Sequence, residues 1–271
     1  MQPPWRLALP MYNVTPALAC AWEDLLHAVV DALHRRGWNG AMRVAPVPVM
    51  EDLMAFWRSP DLLLSQTCGY PLVTALGEDV RVLAVLAFDL PGCEGICYRS
   101  AIVVPNDGAH SLEQLRGSVA AINQAHSHSG MNALRHTLAP LARDGRFLSR
   151  IEVSGSHLAS LAMVQSGKAQ VAAIDCATLG LAMRYAPQLL AGVRTLQYTA
   201  GAPGLPLIGS RALSDDQAQV LRDVLLDLPK TARHLLAPLC IRDLRAVTLT
   251  DYQPIVEQAQ FATDRGYPVL A

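Results

Sequence analysis

Charge is scarce in this 271-residue chain: Asp, Glu, Lys and Arg together make up 17% of it and sum to −1. So weak a field attracts neither nucleic acid nor an acidic lipid surface, and neither is expected as a partner. Long apolar runs are missing too. None reaches the roughly 18 to 20 residues of a membrane span, so direct insertion into a bilayer is not expected. The opening MQPPWRLALP lacks the basic-then-apolar order of a secretory leader. There is no CxxC, no HExxH and no GxSxG, which removes the usual frames for zinc, dithiol chemistry and a serine nucleophile. His126 and His128 stand two apart and would point to opposite faces of an extended segment, so they do not pair on a metal. No cofactor is expected. Internal repeats and low-complexity segments are absent as well.

Apolar residues, in contrast, make up 51% of the chain, which argues against disorder and for a compact α/β or helical protein. The length suits one large domain or two small ones. Of the six cysteines only Cys93 and Cys97 are close in sequence. That pair is open to two readings: a local disulfide in an oxidising compartment, or two free thiols. Cys20, Cys68, Cys176 and Cys240 read as small packing residues.

Strand and helix signals alternate. WRLALPMY reads as a strand, and apolar residues then recur at helical spacing from Pro16 to Arg36, with Thr15 as N-cap and Gly37 as the stop. MRVAPVPV, DLLLSQ and VRVLAVLAF read as strands, the latter two of the continuous apolar kind typical of parallel sheets covered on both faces. EDLMAFWRS and Gly69–Leu76 read as short helices. LPGCEGICY breaks the pattern as a crossover. The rhythm then resumes as the strands YRSAIVVP, SVAAIN, RIEVSG, AQVAAID and VRTLQYTA, separated by helices in SLEQLRG, SGMNALRHTLAPLA, HLASLAMVQSG and ATLGLAMRYAP. A second break, TAGAPGLP, precedes LPLIGS, and the remainder reads as mainly helical. Alternation of this sort implies a mostly parallel sheet, and two breaks bracketing a βα block imply a second domain with paired linkers.

In such sheets ligands bind where strands end and helices begin. Three junctions are polar there: Gln66, Thr67 and Gly69 after DLLLS; Ser127, His128, Ser129 and Gly130 after SVAAIN; and Ser154 to His157 after IEV. Hydroxyls and free N–H groups at a helix start suit an oxyanion, and Gly130 lets the backbone approach closely. Ser127, Ser129 and Asn132 are thus candidates to wrap a tetrahedral anion without any formal positive charge, the alternative being that either serine only caps the helix. His157 reads as an anion donor or a cap, and Asp175 as an N-cap or a ligand-facing acceptor. Tyr12 and Tyr98 read as cleft-lining or half-buried core.

DLLLSQTCGYPL, CEGICYRSAIVV, SLEQLRGSVAAINQAHSHSGMNALR and GSHLASLAMVQSGKAQVAAIDCATL together resemble the phosphate, phosphite and phosphonate solute-binding proteins of ABC importers, over about residues 5 to 210. The resemblance implies a type 2 periplasmic-binding-protein fold: two α/β lobes, each a mixed, mostly parallel sheet flanked by helices, joined by a two-stranded hinge. Lobe 1 would comprise residues 1–92 and 203–271, lobe 2 residues 93–202, with hinge segments near 90–97 and 199–206. It implies a non-enzymatic protein that captures a small oxyanion between its lobes, an ABC permease as partner, and a periplasmic location. Carried over by position, the ligand-gripping helix start matches Ser127, His128, Ser129 and Gly130; the other lobe's turn matches Gln66, Thr67 and Gly69; a histidine and an aspartate match His157 and Asp175. Two departures stand out. Only Asp175 is on hand to hold an amine, which disfavours aminoalkyl phosphonates, and no leader precedes the first strand, which in a leaderless chain would mean a cytoplasmic protein. The alternatives on the same fold are a cytosolic cofactor-biosynthesis enzyme and a ligand-sensor domain.

Overall fold

The computed structural model describes residues 3–271, without the side chain of Met50. In chain order its strands are β1 Trp5–Ala8, β2 Met42–Val44, β3 Leu62–Gln66, β4 Val80–Phe88, β5 Cys93–Glu94, β6 Cys97–Tyr98, β7 Ser100–Pro105, β8 Val119–Ile122, β9 Arg150–Val153, β10 Val171–Asp175, β11 Val193–Tyr198, β12 Ala202–Pro203, β13 Pro206–Ser210 and β14 Ile241–Arg245. The helices are α1 Pro16–Arg35, α2 Leu53–Trp57, α3 Gly69–Pro71, α4 Ala133–Leu138, α5 His157–Gln165, α6 Cys176–Tyr185, α7 Asp215–Thr231, α8 Arg233–Leu236 and α9 Gln253–Asp264. No helix among the described residues is long and apolar enough to cross a membrane.

The chain divides into two compact units. The first holds the chain up to Asp89, Glu94–Ile96 and Gly204–Asp251; the second holds Leu90–Cys93, Cys97–Pro203 and Tyr252–Ala271. The expected boundaries near residues 92 and 203 lie within a few residues of two of these changes. The C-terminal allocation differs, because residues 252–271 group with the second unit and not with the first. The reason is packing: Ile255 and Ala262 of α9 are buried, and Asn132 and Arg135 bond the carbonyls of Ile255 and Ala259.

In the first unit six strands order as β14-β4-β13-β3-β1-β2. β1 is parallel to β2 and β3, while β13 and β4 run antiparallel to their neighbours. α1 forms as its caps dictate: Thr15 Oγ1 accepts the Leu18 N–H at 3.2 Å, Pro16 opens the helix, and Gly37 leaves it at φ +84°. Its buried stripe is Leu18, Trp22, Leu25, Leu26, Val29 and Leu33. β2 stops at Val44, short of the expected MRVAPVPV, because Pro46 and Pro48 have no N–H to give a ladder. β14 falls in the segment expected to be helical. Ile241 and Leu244, three apart, are both buried because a register shift between Ile241 and Asp243 interrupts the two-residue alternation of this edge strand.

In the second unit five strands order as β11-β7-β10-β8-β9. β8 is parallel to β9 and β10, and β7 is antiparallel to β10 and β11. The core beside this sheet is built from Ala101, Val103, Ala121, Leu161, Val164, Ala172, Ile174 and Leu179. Both sheets are therefore mixed. β4 and β7 read as continuous apolar runs, yet they are antiparallel strands buried on both faces: two-sided burial, not strand direction, wrote that pattern. LPGCEGICY is not featureless, since it supplies β5 and β6 around a two-residue turn, and β6 pairs with β12 from the second break.

Candidate functional site

β8 ends at Ile122, and the chain enters α4 through a π-helical turn, His128–Asn132. Ser127 caps that turn, its hydroxyl oxygen accepting the Gly130 N–H at 3.1 Å. Ser127, His128, Ser129 and Asn132 are all buried. Gly130 is required by close approach: a Cβ there would lie 1.9 Å from Asn123 Oδ1. That Oδ1 is itself buried and meets no donor.

Ser156, not His157, caps α5, accepting the Ala159 N–H at 3.1 Å. The His157 ring turns instead to Ser129, with Nε2 at 2.9 Å from the hydroxyl oxygen, and the two serine oxygens are 3.5 Å apart. Burial lowers the His157 pKa to about 4, with the Ala173 backbone pulling weakly the other way. Burial also lowers that of His128 to about 3, helped by repulsion from His136. At neutral pH both rings are uncharged. Imidazoles so weakly basic are poor at activating Ser129 as a nucleophile, whereas neutral N–H and O–H groups remain good oxyanion donors.

Around this cluster, the Tyr98 ring meets His128 edge-on at 6.2 Å. Asp175 ends β10 and caps α6, accepting the N–H groups of Ala177 at 2.7 Å and Thr178 at 3.1 Å, so the capping reading of this residue is realised. Its charge reinforces burial in raising the thiol pKa of Cys93 and of Cys176, the latter to about 12. No disulfide joins Cys93 and Cys97, the bridge considered from their spacing. Flanking a two-residue turn, they fall on opposite faces of the hairpin. His126 is exposed and His128 buried, and no metal-holding group of three His, Cys, Asp or Glu exists among the described residues.

In the first unit Gln66 is fully buried at the end of β3. Its Oε1 accepts the Met11 N–H at 3.2 Å and its main-chain oxygen accepts Trp57 Nε1–H at 2.9 Å, while its Nε2 finds no acceptor. This bond brings Gln66 beside Tyr12, which is buried against Trp22 and Phe88 at φ +67°. Thr67 is buried with its N–H on the Pro206 carbonyl at 3.1 Å, and Gly69 opens α3. Thus Ser127, His128, Ser129, Gly130, Asn132 and His157 form one cluster with Tyr98 against it, and Tyr12 and Gln66 come together in the other unit. Sequence reading missed Asn123, although it is the first polar residue after an apolar strand. It also missed the buried Arg135, for which the sequence holds no local sign.

Neutral donors gathered at strand ends suit the binding of a small solute. The chain belongs to the phosphonate-binding family, the periplasmic substrate-binding proteins of phosphonate ABC transporters, which matches residues 21–252. No curated protein matches by sequence. Among solved structures, a binding protein component of an ABC phosphonate transporter from Pseudomonas aeruginosa is similar with a TM-score of 0.78 at 17% identity, over 98% of this chain and 88% of that one. PhnD1 from Prochlorococcus marinus, in complex with methylphosphonate, gives 0.74 at 16% identity, over 94% and 97%. A Xanthomonas citri protein bound to ATP gives 0.71 at 19% identity, over 96% and 97%. These likenesses show the fold, the two-lobed type 2 periplasmic-binding-protein architecture.

Proposed function

We propose that this substrate-binding protein captures a small tetrahedral oxyanion of the phosphonate or phosphate type and hands it to an ABC permease in the periplasm. The observation that supports the reading is the uncharged donor cluster at the mouth of α4, in which the buried Ser127 and Ser129 meet the half-buried His157. Buried hydroxyls and imidazoles with no salt-bridge partner compensate an anion by hydrogen bonds alone, which are strengthened by the low local dielectric. The absence of a spare acidic group in the cluster, Asp175 being committed to its cap, argues for a ligand without an amine. The methylphosphonate held by the Prochlorococcus marinus neighbour supports the same class.

A thermal-shift screen with methylphosphonate, phosphite, phosphate, sulfate and small carboxylates tests this. A ligand at ~100 times its dissociation constant adds about 2.7 kcal/mol. The expected result is a shift with a phosphorus oxyanion that the double substitution Ser127→Ala, Ser129→Ala abolishes without lowering the unliganded melting point by more than a few degrees. A full shift in the double variant places the ligand elsewhere.

A further inference from the structure

Arg135 on α4 carries a permanent positive charge at a residue that is only 6% exposed. Its guanidinium donates to the Pro268 carbonyl, to Asn132 Oδ1 at 2.9 Å and to the Ala259 carbonyl at 3.3 Å, while its buried Nε meets no acceptor. All three oxygens are neutral, and among the described residues no carboxylate forms an ion pair with Arg135. These bonds explain where the side chain lies, since they tie α4 to the segment after Tyr252. They do not explain the charge. A buried cation without a counter-ion is costly to keep, and neutral acceptors are served as well by a neutral donor.

The neutral cluster stands at the other end of the same stretch. Asn132, which accepts from the guanidinium, gives its main-chain N–H to the Ser127 carbonyl at 3.0 Å. Helical side chains lean toward the N-terminal end, and the bond from Arg135 back to Asn132 shows this one doing so, toward the serines. Six residues separate Arg135 from Ser129, so at a rise of ~1.5 Å per residue the charge lies on the order of 10 Å from the hydroxyls. Its field reaches past its own bonds: burial raises the Tyr267 hydroxyl pKa, and the Ala271 backbone and the charge of Arg135 pull it back.

We propose that Arg135 is the buried counter-charge of the anion site, set behind the neutral donors and acting on an anion at Ser127 and Ser129 through space, without touching it. The proposal rests on the oxyanion reading above and deepens it, because the contacts proposed there are all neutral and leave the net charge of the ligand to be met at longer range. A hydroxyl responds to the one oxygen it touches, whereas a field responds to the whole charge. At ~10 Å and an effective dielectric constant of about 20, one unit charge acting on another changes affinity roughly tenfold. A dianion therefore gains roughly a hundredfold from Arg135 where a monoanion gains roughly tenfold.

The test is titration calorimetry with methylphosphonate on either side of its second ionisation, where it passes from one negative charge to two, in wild type, Arg135→Met and Arg135→Lys. Methionine keeps an apolar stem and loses the charge, whereas lysine keeps the charge and loses the planar fork. Circular dichroism checks that each variant is folded. Arg135→Met should weaken binding of the monoanion roughly tenfold and of the dianion roughly a hundredfold, and Arg135→Lys should recover most of both losses. A folded Arg135→Met protein that loses the same factor for both charge states, or loses nothing, makes Arg135 a strut and overturns the proposal. If Arg135→Met does not fold, wild type and Arg135→Lys decide: both must bind the dianion more tightly than the monoanion, and a level or reversed preference in either overturns it. Wild type that binds neither methylphosphonate nor inorganic phosphate removes the oxyanion reading and this proposal together, while binding without a charge-dependent loss removes this proposal alone.

Discussion

Replacing Gly130 by alanine puts a methyl carbon 1.9 Å from Asn123 Oδ1 and 2.9 Å from its Cγ. Carbon and oxygen normally touch at roughly 3.2 to 3.5 Å, so more than an ångström of overlap must be relieved. The main-chain nitrogen of Asn123, 3.3 Å from the new methyl, leaves the turn little room to retreat as a whole. The Asn123 side chain must rotate or the π-helical turn must open, and overpacking of this kind costs about 1 to 3 kcal/mol. For a chain of this size about 2 kcal/mol corresponds to roughly 4 to 8 °C in melting temperature. Because Ser127 accepts the Gly130 N–H, the same displacement should move the Ser127 and Ser129 hydroxyls and, on the proposed function, weaken methylphosphonate binding. Differential scanning calorimetry and titration calorimetry read the two effects. The double variant Asn123→Ala, Gly130→Ala removes the obstructing oxygen and should recover at least half of the lost stability, a coupling above about 0.5 kcal/mol in a double-mutant cycle. A Gly130→Ala protein that melts with wild type and binds with undiminished affinity would refute the close-approach argument.

Stability should also depend on pH through the two most strongly depressed histidines. The unfolded rings take up protons near 6.5 and the folded ones only near 4 for His157 and 3 for His128, so stability is full above about pH 6.5 and is lost as pH falls through that window. Urea midpoints should drop between roughly pH 7 and pH 5, a range in which ordinary carboxylates stay ionised, with at most about 1.4 kcal/mol per pH unit for each ring; a flat profile contradicts the assignment. Asp175→Ala leaves the first N–H groups of α6 uncapped and should cost about 1 to 2 kcal/mol by chemical denaturation. Asp175→Asn keeps an accepting oxygen and should cost less. Removing the charge also lowers the Cys176 thiol from about 12, so iodoacetamide labelling should quicken; equal labelling rates would show that burial alone sets that pKa.

What the sequence revealed and hid follows from the range of each interaction. α1 was legible from end to end because its determinants, Thr15, Pro16, the apolar stripe and Gly37, are all local. β3 and β4 were legible as strands from continuous burial, but their neighbours were not, since composition does not carry chain direction. β14 escaped because IRDLR follows a helical stretch and its two apolar residues stand three apart, off the strand period. At the site, the serines and Gly130 were visible as a polar interruption after β8, and Ser129 does meet His157, which lies beyond β9. The buried cation on the helix behind them was invisible. Arg135 reads as one more polar position on a helix, and its meaning lies in carbonyls of Ala259 and Pro268, far along the chain.

That distance has a bearing on biosynthesis. The hydroxyl cluster, its π-helical turn and α4 leave the ribosome well before the segment that supplies the oxygens around Arg135 and seats the Ala271 carbonyl on the N–H groups of Phe147 and Leu148. Until residues 252–271 have been made, the Arg135 guanidinium lacks the Ala259 and Pro268 carbonyls that enclose it. Folding of the second unit therefore waits on residues 252–271, and a chain halted before them would hold a nearly whole sheet whose α4 lies uncovered.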